Sequence, residues 1–332
     1  MLLAMLTRRD ALAKAFGAGA LLRSRAAFAK AAQPSTPVNF DVPPHACDSH
    51  THIFGDPAKF PFYSGRVYTP EPAVPEEMAA LHRALHMERV VIVTPSVYGT
   101  DNSATLFGMK ARGATARGIA VIDEKTPESD LETMSKAGFR GIRINASTGG
   151  TNDPGVIIRR FQASVERIGK YNWHVQINTI PSVIASLKEV VQNSPVPVVF
   201  DHMGGAQAAG GLEQPGFADM LALLRSGKAY IKVSGADHAS DKAPDYPDVV
   251  PIAKALIAAN PDRILWGSDW PHPPRGPVTG RKPTEVTPLY QIDDGALLNQ
   301  LAVWAPDPAV RKKILVDNPA RLFGFRSFLF PA

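Results

Sequence analysis

The chain has one cysteine, Cys47, among its 332 residues. A single cysteine excludes an internal disulfide and every metal site that is built from several cysteines. The sequence also has no apolar run of about 18 residues, the minimum expected of a membrane-spanning helix. These absences predict a globular protein whose core forms without disulfides and without a membrane span.

An excess of basic charge is missing from most of the chain as well. The formal net charge is +5, but six of the 36 Lys and Arg residues and only one of the 31 Asp and Glu residues lie within residues 1–30, so that 30 of each remain. Proteins that bind nucleic acid cluster Lys and Arg on their folded surface to neutralise phosphates. We therefore exclude nucleic acid as a partner.

Two common functional motifs are absent too. No G-x-G-x-x-G or P-loop sequence follows a predicted strand, which disfavours a nucleotide-binding doubly wound sheet. No G-x-S-x-G sequence occurs, which disfavours a serine hydrolase. Cys47 directly precedes Asp48, but a cysteine beside the first predicted strand is expected to be buried and not to act as a nucleophile.

Residues 1–29 predict a twin-arginine-type signal peptide. Arg8 and Arg9 precede a short apolar stretch, and Ala27-Phe28-Ala29 provides a cleavage site of the A-x-A type. A working leader predicts a periplasmic protein, and a leader that does not function predicts a cytoplasmic one. Residues 30–45, rich in Pro, Ala and Thr, predict a linker. Residues 326–332 are expected to form a C-terminal tail.

From residue 46 onward, short β-branched runs alternate with amphipathic helical patterns. Eight runs are predicted strands: 46–53, 89–95, 118–123, 141–145, 173–178, 196–201, 229–234 and 264–268. Eight βα units predict an α/β fold of the (β/α)8 TIM barrel type, a single domain over 46–325 that follows the leader. In such a barrel the chemistry lies at the carboxyl ends of the strands.

Histidines and an aspartate stand at three of these strand ends. His50 and His52 close the first strand, His202 follows the sixth and Asp269 follows the eighth. Because alternate residues of a strand point to the same side, His50 and His52 face one point. Imidazole and carboxylate groups serve both as zinc ligands and as general acids and bases. The pattern predicts one joint site.

The motifs around these residues resemble the amidohydrolase superfamily. They are D-x-H-x-H at 48–52, Asp-His at 201–202, W-G-S-D-W-P-H at 266–272 and N-P-A-R-L-F-G at 318–324. Within it, residues 45–325 resemble the group of 2-pyrone-4,6-dicarboxylate lactonases and 4-sulfomuconolactone hydrolases, through segments 68–70, 94–102, 140–143 and 173–175. The resemblance implies a hydrolase that opens a small anionic lactone.

The resemblance also implies roles. Asp269 would take a proton from water, and His50, His52 and His202 would polarise the lactone carbonyl or hold a metal that does so. His50, His52 and Asp269 would be ligands of one Zn²⁺ or other divalent ion. The pyrone lactonases imply a metal-independent site, so both possibilities remain open.

Two metal ligands usual in the superfamily are replaced in this sequence. Arg143 and Asn145 stand where the fourth strand normally carries a bridging Lys or Glu. Asn178 closes the fifth strand, whereas His174 lies at its start and is expected to be structural.

Substrate contacts follow from the same resemblance. Arg143 matches an arginine that binds a substrate carboxylate, and Tyr68, Thr94 and Ser96 match other contact positions. Asn178 and His238 complete the predicted set. The pyrone lactonases have two further arginines at the positions of residues 145–150 and His238. Their replacement predicts a related lactone whose substituents differ from the two carboxylates of the pyrone. The lead substrate is 4-sulfomuconolactone, opened to maleylacetate and sulfite.

Several alternatives remain open at this stage. They are a 2-pyrone-4,6-dicarboxylate or sugar-acid lactonase, a zinc-dependent non-oxidative decarboxylase, and a barrel that only captures small anions. The sequence is compatible with a monomer or a small homo-oligomer.

Overall fold

Eight parallel strands form the centre of the protein in a computed structural model that describes residues 31–147 and 152–325. The strands are β1 (Cys47–Thr51), β2 (Arg89–Val93), β3 (Ala116–Ala120), β4 (Phe139–Asn145), β5 (His174–Asn178), β6 (Val198–Phe200), β7 (Ala229–Val233) and β8 (Ile264–Trp266). Each strand from β2 to β8 pairs in parallel with the strand before it. Each overlaps one of the eight predicted runs, so the predicted TIM barrel is confirmed.

Helices follow the strands and cover the outside of the barrel. They are α1 (Pro75–Ala84), α2 (Ser103–Arg112), α3 (Glu128–Ala137), α4 (Pro154–Ile168), α5 (Pro181–Gln192), α6 (Phe217–Arg225), α7 (Ala236–Ala239), α8 (Val250–Ala259), α9 (Asp294–Trp304), α10 (Pro308–Lys312) and α11 (Asn318–Phe323). Proline stands first in four of them, where its missing N–H costs no helical hydrogen bond. None of the described helices is long and apolar enough to cross a membrane.

The strands are buried on both faces, which explains their apolar composition. β2 reads Arg-Val-Val-Ile-Val, and all five of its residues are buried. Strands of parallel sheets are expected to be continuously hydrophobic for this reason. Polar side chains buried within the strands, such as Lys232 and Gln176, therefore depart from the pattern.

The barrel closes between β8 and β1 at the point where the site residues lie. The Asp269 N–H donates to the His50 carbonyl at 2.9 Å, and the His52 N–H donates to the Trp270 carbonyl at 2.8 Å. The two strands approach closely because Gly267 lacks a side chain: a Cβ there would lie 2.6 Å from the Cβ of His50. Closure of the barrel therefore fixes Asp269 beside the His-x-His pair.

The described part of the predicted linker, residues 31–45, packs against the barrel. The indole N–H of Trp270 donates to the Ala32 carbonyl at 3.0 Å. The hydroxyls of Ser35 and Thr36 each donate to the carboxylate of Asp293 at 2.6 Å. This segment thus differs from a free tether. The predicted signal peptide and the predicted tail lie outside the described residues.

Candidate active site

Four imidazoles surround one carboxylate at the carboxyl end of the barrel. Asp269 Oδ1 lies 3.5 Å from His50 Nε2, 3.5 Å from His52 Nε2 and 3.7 Å from His202 Nε2. Asp269 Oδ2 lies 2.9 Å from His238 Nε2. All are buried except His238, whose side chain is 22% exposed. The structure thus brings the four predicted catalytic residues together and adds His238 to them.

The backbone turns sharply where the strands deliver these groups. Asp269 has a φ of 68° and His202 a φ of 49°, both in the left-handed region. Aspartate and histidine are among the few residues other than glycine that enter this region often. Such backbone is concentrated at functional sites, where the surrounding structure offsets its cost.

Charges are divided sharply between the central carboxylate and its neighbours. Burial would raise the pKa of Asp269, but the surrounding imidazoles, of which His238 Nε2 lies nearest at 2.9 Å, hold that pKa well below its usual range. Burial also lowers the pKa of His202 well below its usual range. At neutral pH the cluster therefore combines an ionised carboxylate with a neutral imidazole at His202. A carboxylate in this state can accept a proton from water.

A cavity of about 190 Å³ opens above the cluster. It is lined by His52, His202, His238 and Asp269, and by the predicted substrate contacts Tyr68, Ser96, Arg143 and Asn178. Burial raises the pKa of Tyr68, so its hydroxyl stays protonated and can donate a hydrogen bond. Eight of the ten predicted site residues therefore share one small cavity.

Thr94 lies outside the cavity that holds the other predicted substrate contacts. Its buried hydroxyl donates to Asn102 Oδ1 at 2.8 Å and lies 2.7 Å from the Thr105 hydroxyl. These contacts tie the end of β2 to the first turn of α2. Among the described residues, Thr94 is not one of those that line the cavity.

Arg143 lines the cavity, and a hydrogen bond to the buried carboxylate of Asp201 holds it in place. Its Nε donates to Asp201 Oδ2 at 2.8 Å, and both side chains are buried. Burial would raise the pKa of Asp201, but Lys232, His50 and Arg143 hold it well below its usual range. An anchored guanidinium at a cavity wall suits the binding of a carboxylate, since its planar fork matches two oxygens.

Sequence reasoning missed the buried polar groups beneath His50. Lys232 Nζ donates to Gln176 Oε1 at 2.8 Å, and it lies 3.0 Å from Asp201 Oδ1 and 2.9 Å from His50 Nδ1. Lysine and glutamine are rare inside parallel strands that are buried on both faces, so their presence in two predicted strands was a usable signal. Residues at the strand ends alone do not include them.

His174 lies deeper in the barrel, as expected. Its Nε2 is 3.0 Å from Gln176 Nε2, and its ring packs against Phe323 at 5.3 Å between centroids. Burial lowers the pKa of His174 to about 3. The described contacts of this neutral ring are structural.

The donor set fits a divalent ion in type and spacing. His50, His202 and Asp269 each offer a ligand atom, and these atoms lie within 4.8 Å of one another. Two imidazoles and a carboxylate form a known catalytic zinc set. His50 Nε2 is buried and has no hydrogen-bond partner in the described part of the chain, and a metal bond at this atom requires a lone pair there.

A barrel that gathers histidines and an aspartate at its carboxyl end has the architecture of a TIM-barrel hydrolase. The model of the Amidohydrolase family matches residues 47–325, and the chain belongs to this family. The resemblance inferred from the D-x-H-x-H strand and the other motifs is thereby confirmed.

Individual relatives agree with that membership. The chain is 36% identical over 292 residues to a 4-sulfomuconolactone hydrolase of Rhizobium radiobacter, covering 87% of this chain and 93% of the relative. It is 33% identical over 310 residues to a 2-pyrone-4,6-dicarboxylate hydrolase of Comamonas testosteroni, covering 88% and 94%. A solved structure from Acinetobacter baumannii, described as a probable 2-pyrone-4,6-dicarboxylic acid hydrolase with citric acid bound, superposes with a TM-score of 0.70 at 25% identity, covering 85% of this chain and 100% of that one.

The loop after β8 is held by a second buried pair. His272 Nε2 lies 3.2 Å from both carboxylate oxygens of Asp294, at the start of α9. Burial would lower the pKa of His272, but the carboxylate of Asp294 raises it to about 9. The imidazolium thus links the segment that carries Asp269 to the barrel wall.

The stability of the fold should depend on pH through this pair. Because the folded pKa of about 9 exceeds the ordinary value of 6.5, the stabilisation is complete below about pH 6.5 and is lost as pH rises through 9. We expect the free energy of unfolding to fall by about 3 kcal/mol between pH 6.5 and 10, since one pKa unit corresponds to about 1.4 kcal/mol. Urea unfolding of wild type and His272→Gln across this range measures the effect. The variant should lack the decline, and exposed His86→Asn should keep it; equal slopes in wild type and His272→Gln would contradict the assignment.

Proposed function

We propose that the protein hydrolyses a small anionic lactone, with 4-sulfomuconolactone as the lead substrate. The observation that carries the proposal is Asp269, an ionised carboxylate surrounded by imidazoles in a small cavity with Arg143 at its wall. The names of the two curated relatives support the same substrate class.

In the proposed reaction Asp269 accepts a proton from a water molecule that attacks the lactone carbonyl. The tetrahedral intermediate carries an oxyanion, which N–H groups of the surrounding histidines stabilise. Collapse of the intermediate breaks the ring C–O bond, and a proton returns to the departing oxygen. In 4-sulfomuconolactone the carbon that carries the departing oxygen also bears the sulfonate. Its new hydroxyl group loses its proton as the C–S bond breaks, which releases sulfite and leaves the ketone of maleylacetate.

Arg143 is proposed to bind the carboxylate of the substrate. Tyr68 and Ser96 line the same cavity and supply hydroxyl donors for a second anionic group. A sulfonate presents three oxygens, and hydroxyls and amides can bind it without a second arginine. Asn178 is placed to contribute such an amide.

A divalent ion, when bound, would be held by His50, His202 and Asp269, which requires His50 Nε2 to present a lone pair, and it would polarise the lactone carbonyl. We also propose that the protein is exported to the periplasm by residues 1–29. Sequencing the N-terminus of protein isolated from the periplasm tests this: a start at Lys30 supports export, and an uncleaved cytoplasmic chain contradicts it.

A turnover screen on protein of measured metal content tests the proposed activity. The substrates are 4-sulfomuconolactone, 2-pyrone-4,6-dicarboxylate and a sugar-acid lactone. We expect ring opening of 4-sulfomuconolactone with sulfite release in equal amount. Failure to open any of the three lactones would contradict the proposal. Stoichiometric zinc together with chelator-sensitive decarboxylation of an aromatic acid would favour a decarboxylase instead.

A further inference from the structure

The lysine beneath the His-x-His strand occupies an unusual position. Lys232 is completely buried, and its Nζ has three polar neighbours: Gln176 Oε1 at 2.8 Å, His50 Nδ1 at 2.9 Å and Asp201 Oδ1 at 3.0 Å. An ammonium has three N–H donors and no acceptor. Nζ makes hydrogen bonds with Gln176 Oε1 and His50 Nδ1, and the nearby carboxylate of Asp201 supplies the opposite charge.

We propose that Lys232 fixes His50 as the tautomer protonated at Nε2, which directs the His50 N–H at the carboxylate of Asp269 and excludes His50 as a metal ligand. The first step is a competition at Nδ1. Lys232 Nζ lies 2.9 Å from this atom, whereas the carboxylate oxygen of Asp201 lies 3.3 Å away. The closer group can only donate, so Nδ1 must accept.

The second step follows from the chemistry of imidazole. A neutral ring has one N–H, so a ring whose Nδ1 accepts carries its proton on Nε2. Nε2 of His50 lies 3.5 Å from Asp269 Oδ1 and has no hydrogen-bond partner among residues 31–147 and 152–325. Its N–H is therefore directed at the carboxylate of Asp269, and among the described residues His50 is not one of those that line the cavity.

His52 supplies an internal contrast, because its Nδ1 faces the opposite kind of group. The carbonyl oxygen of Val93, which can only accept, lies 2.7 Å from His52 Nδ1. His52 therefore carries its proton on Nδ1 and presents a lone pair at Nε2. Two histidines of one strand thus face Asp269 in opposite tautomers: His50 donates and His52 accepts.

The tautomers of His50 and His52 determine which of the two can bind a metal ion. A metal ion binds the lone pair of an imidazole nitrogen, and the N–H of His50 Nε2 blocks that bond. In metal sites the outer nitrogen of a ligating histidine usually donates to a carboxylate or a carbonyl. His52 satisfies this rule and His50 does not. Lys232 is thus a positioning residue that favours hydrogen bonding over metal binding at His50.

Nitrogen NMR of the protein labelled with ¹⁵N-histidine tests the tautomer directly and needs no substrate. Long-range ¹H–¹⁵N correlations distinguish a protonated from an unprotonated ring nitrogen, and the His50→Gln variant assigns the signals. We expect His50 to be protonated at Nε2 and His52 at Nδ1. A His50 ring protonated at Nδ1 in the wild type would overturn the proposal.

Metal affinity gives a second readout. In Lys232→Met the donor to Nδ1 is gone, so His50 can donate to Asp201 and present its Nε2 lone pair. We expect Zn²⁺ to bind this variant about 10- to 100-fold more tightly than wild type. Lys188→Met, which removes a half-exposed lysine paired with Asp219, should leave the affinity unchanged. Equal affinities in wild type and a folded Lys232→Met would overturn the proposal.

The role of Asp269, which the His50 N–H faces, rests on the proposed lactone hydrolysis, but the tautomer does not. A wild type with the expected tautomers and no activity on any lactone would contradict the proposed function alone. If Lys232→Met does not fold, the wild-type spectrum still decides the assignment.

Discussion

Replacing Asp269 with asparagine is expected to lower kcat/KM for lactone opening by about 10³-fold, within the range typical of a lost general base. The amide has the size of the carboxylate and still contacts the surrounding imidazoles. It cannot accept the proton of the attacking water, however. Because the surrounding imidazoles hold the pKa of Asp269 low despite its burial, the wild-type group is ionised at neutral pH, and the variant lacks this base.

Steady-state kinetics on the best lactone measures this loss. Asp219→Asn, which removes a partly exposed carboxylate paired with Lys188, is the matched control and should retain wild-type activity. Thermal unfolding verifies that both variants are folded. An Asp269→Asn enzyme that keeps more than about a tenth of the activity would mean that another group activates the water.

The site residues at the strand ends could be predicted because, in a parallel barrel, a residue's position along its strand determines at which end of the barrel it lies. His50, His52, His202 and Asp269 each follow or close a strand, and the carboxyl ends of parallel strands meet at one rim. Their type and their spacing were sufficient to place them in one site. The distances to Asp269 agree with that prediction for all three histidines.

Lys232 and Gln176 could not be placed in the same way. Both stand inside strands, where a side chain points either to the barrel interior or to the helices, and sequence alone did not identify their partners. The structure shows Lys232 2.9 Å from His50, although 182 positions separate them. Such contacts arise from the register between strands, which the strand-end argument does not consider.

Thr94 lies apart from the other predicted substrate contacts. The resemblance placed it with Ser96 in the substrate site, but the two hydroxyls differ in their surroundings. Ser96 lines the cavity, whereas the Thr94 hydroxyl contacts Asn102 and Thr105 at the start of α2. A matching position in a related sequence does not determine which neighbours a side chain contacts.

The same residues close the barrel and form the candidate active site. The hydrogen bonds that join β8 to β1 use the backbone of His50, His52 and Asp269 themselves. Asp48 adds to the same junction, because its carboxylate accepts from the Ser268 hydroxyl at 2.6 Å and from the Ser268 N–H at 3.0 Å. A change that loosens this junction would therefore displace the catalytic groups as well.

Arg143→Lys is expected to raise the KM for a carboxylated lactone by about 10- to 100-fold, the size of one lost charge-assisted hydrogen bond. Arginine can donate from Nε to Asp201 while its terminal nitrogens remain for the substrate. A lysine keeps the charge but has one nitrogen, which the buried carboxylate of Asp201 would attract away from the cavity. We expect kcat to change less than KM, because the groups around Asp269 are untouched.

The comparison of two substrates makes this prediction specific. The rise in KM should occur with a carboxylated lactone and should be much smaller with an otherwise similar lactone that lacks the carboxylate. Arg140→Lys is the matched control, because Arg140 lies on the same strand and donates to the carbonyls of Ser135 and Phe139. Equal KM changes for the two lactones would mean that Arg143 shapes the cavity without binding the substrate anion, and its contact with Asp201 would then be the main reason for its burial.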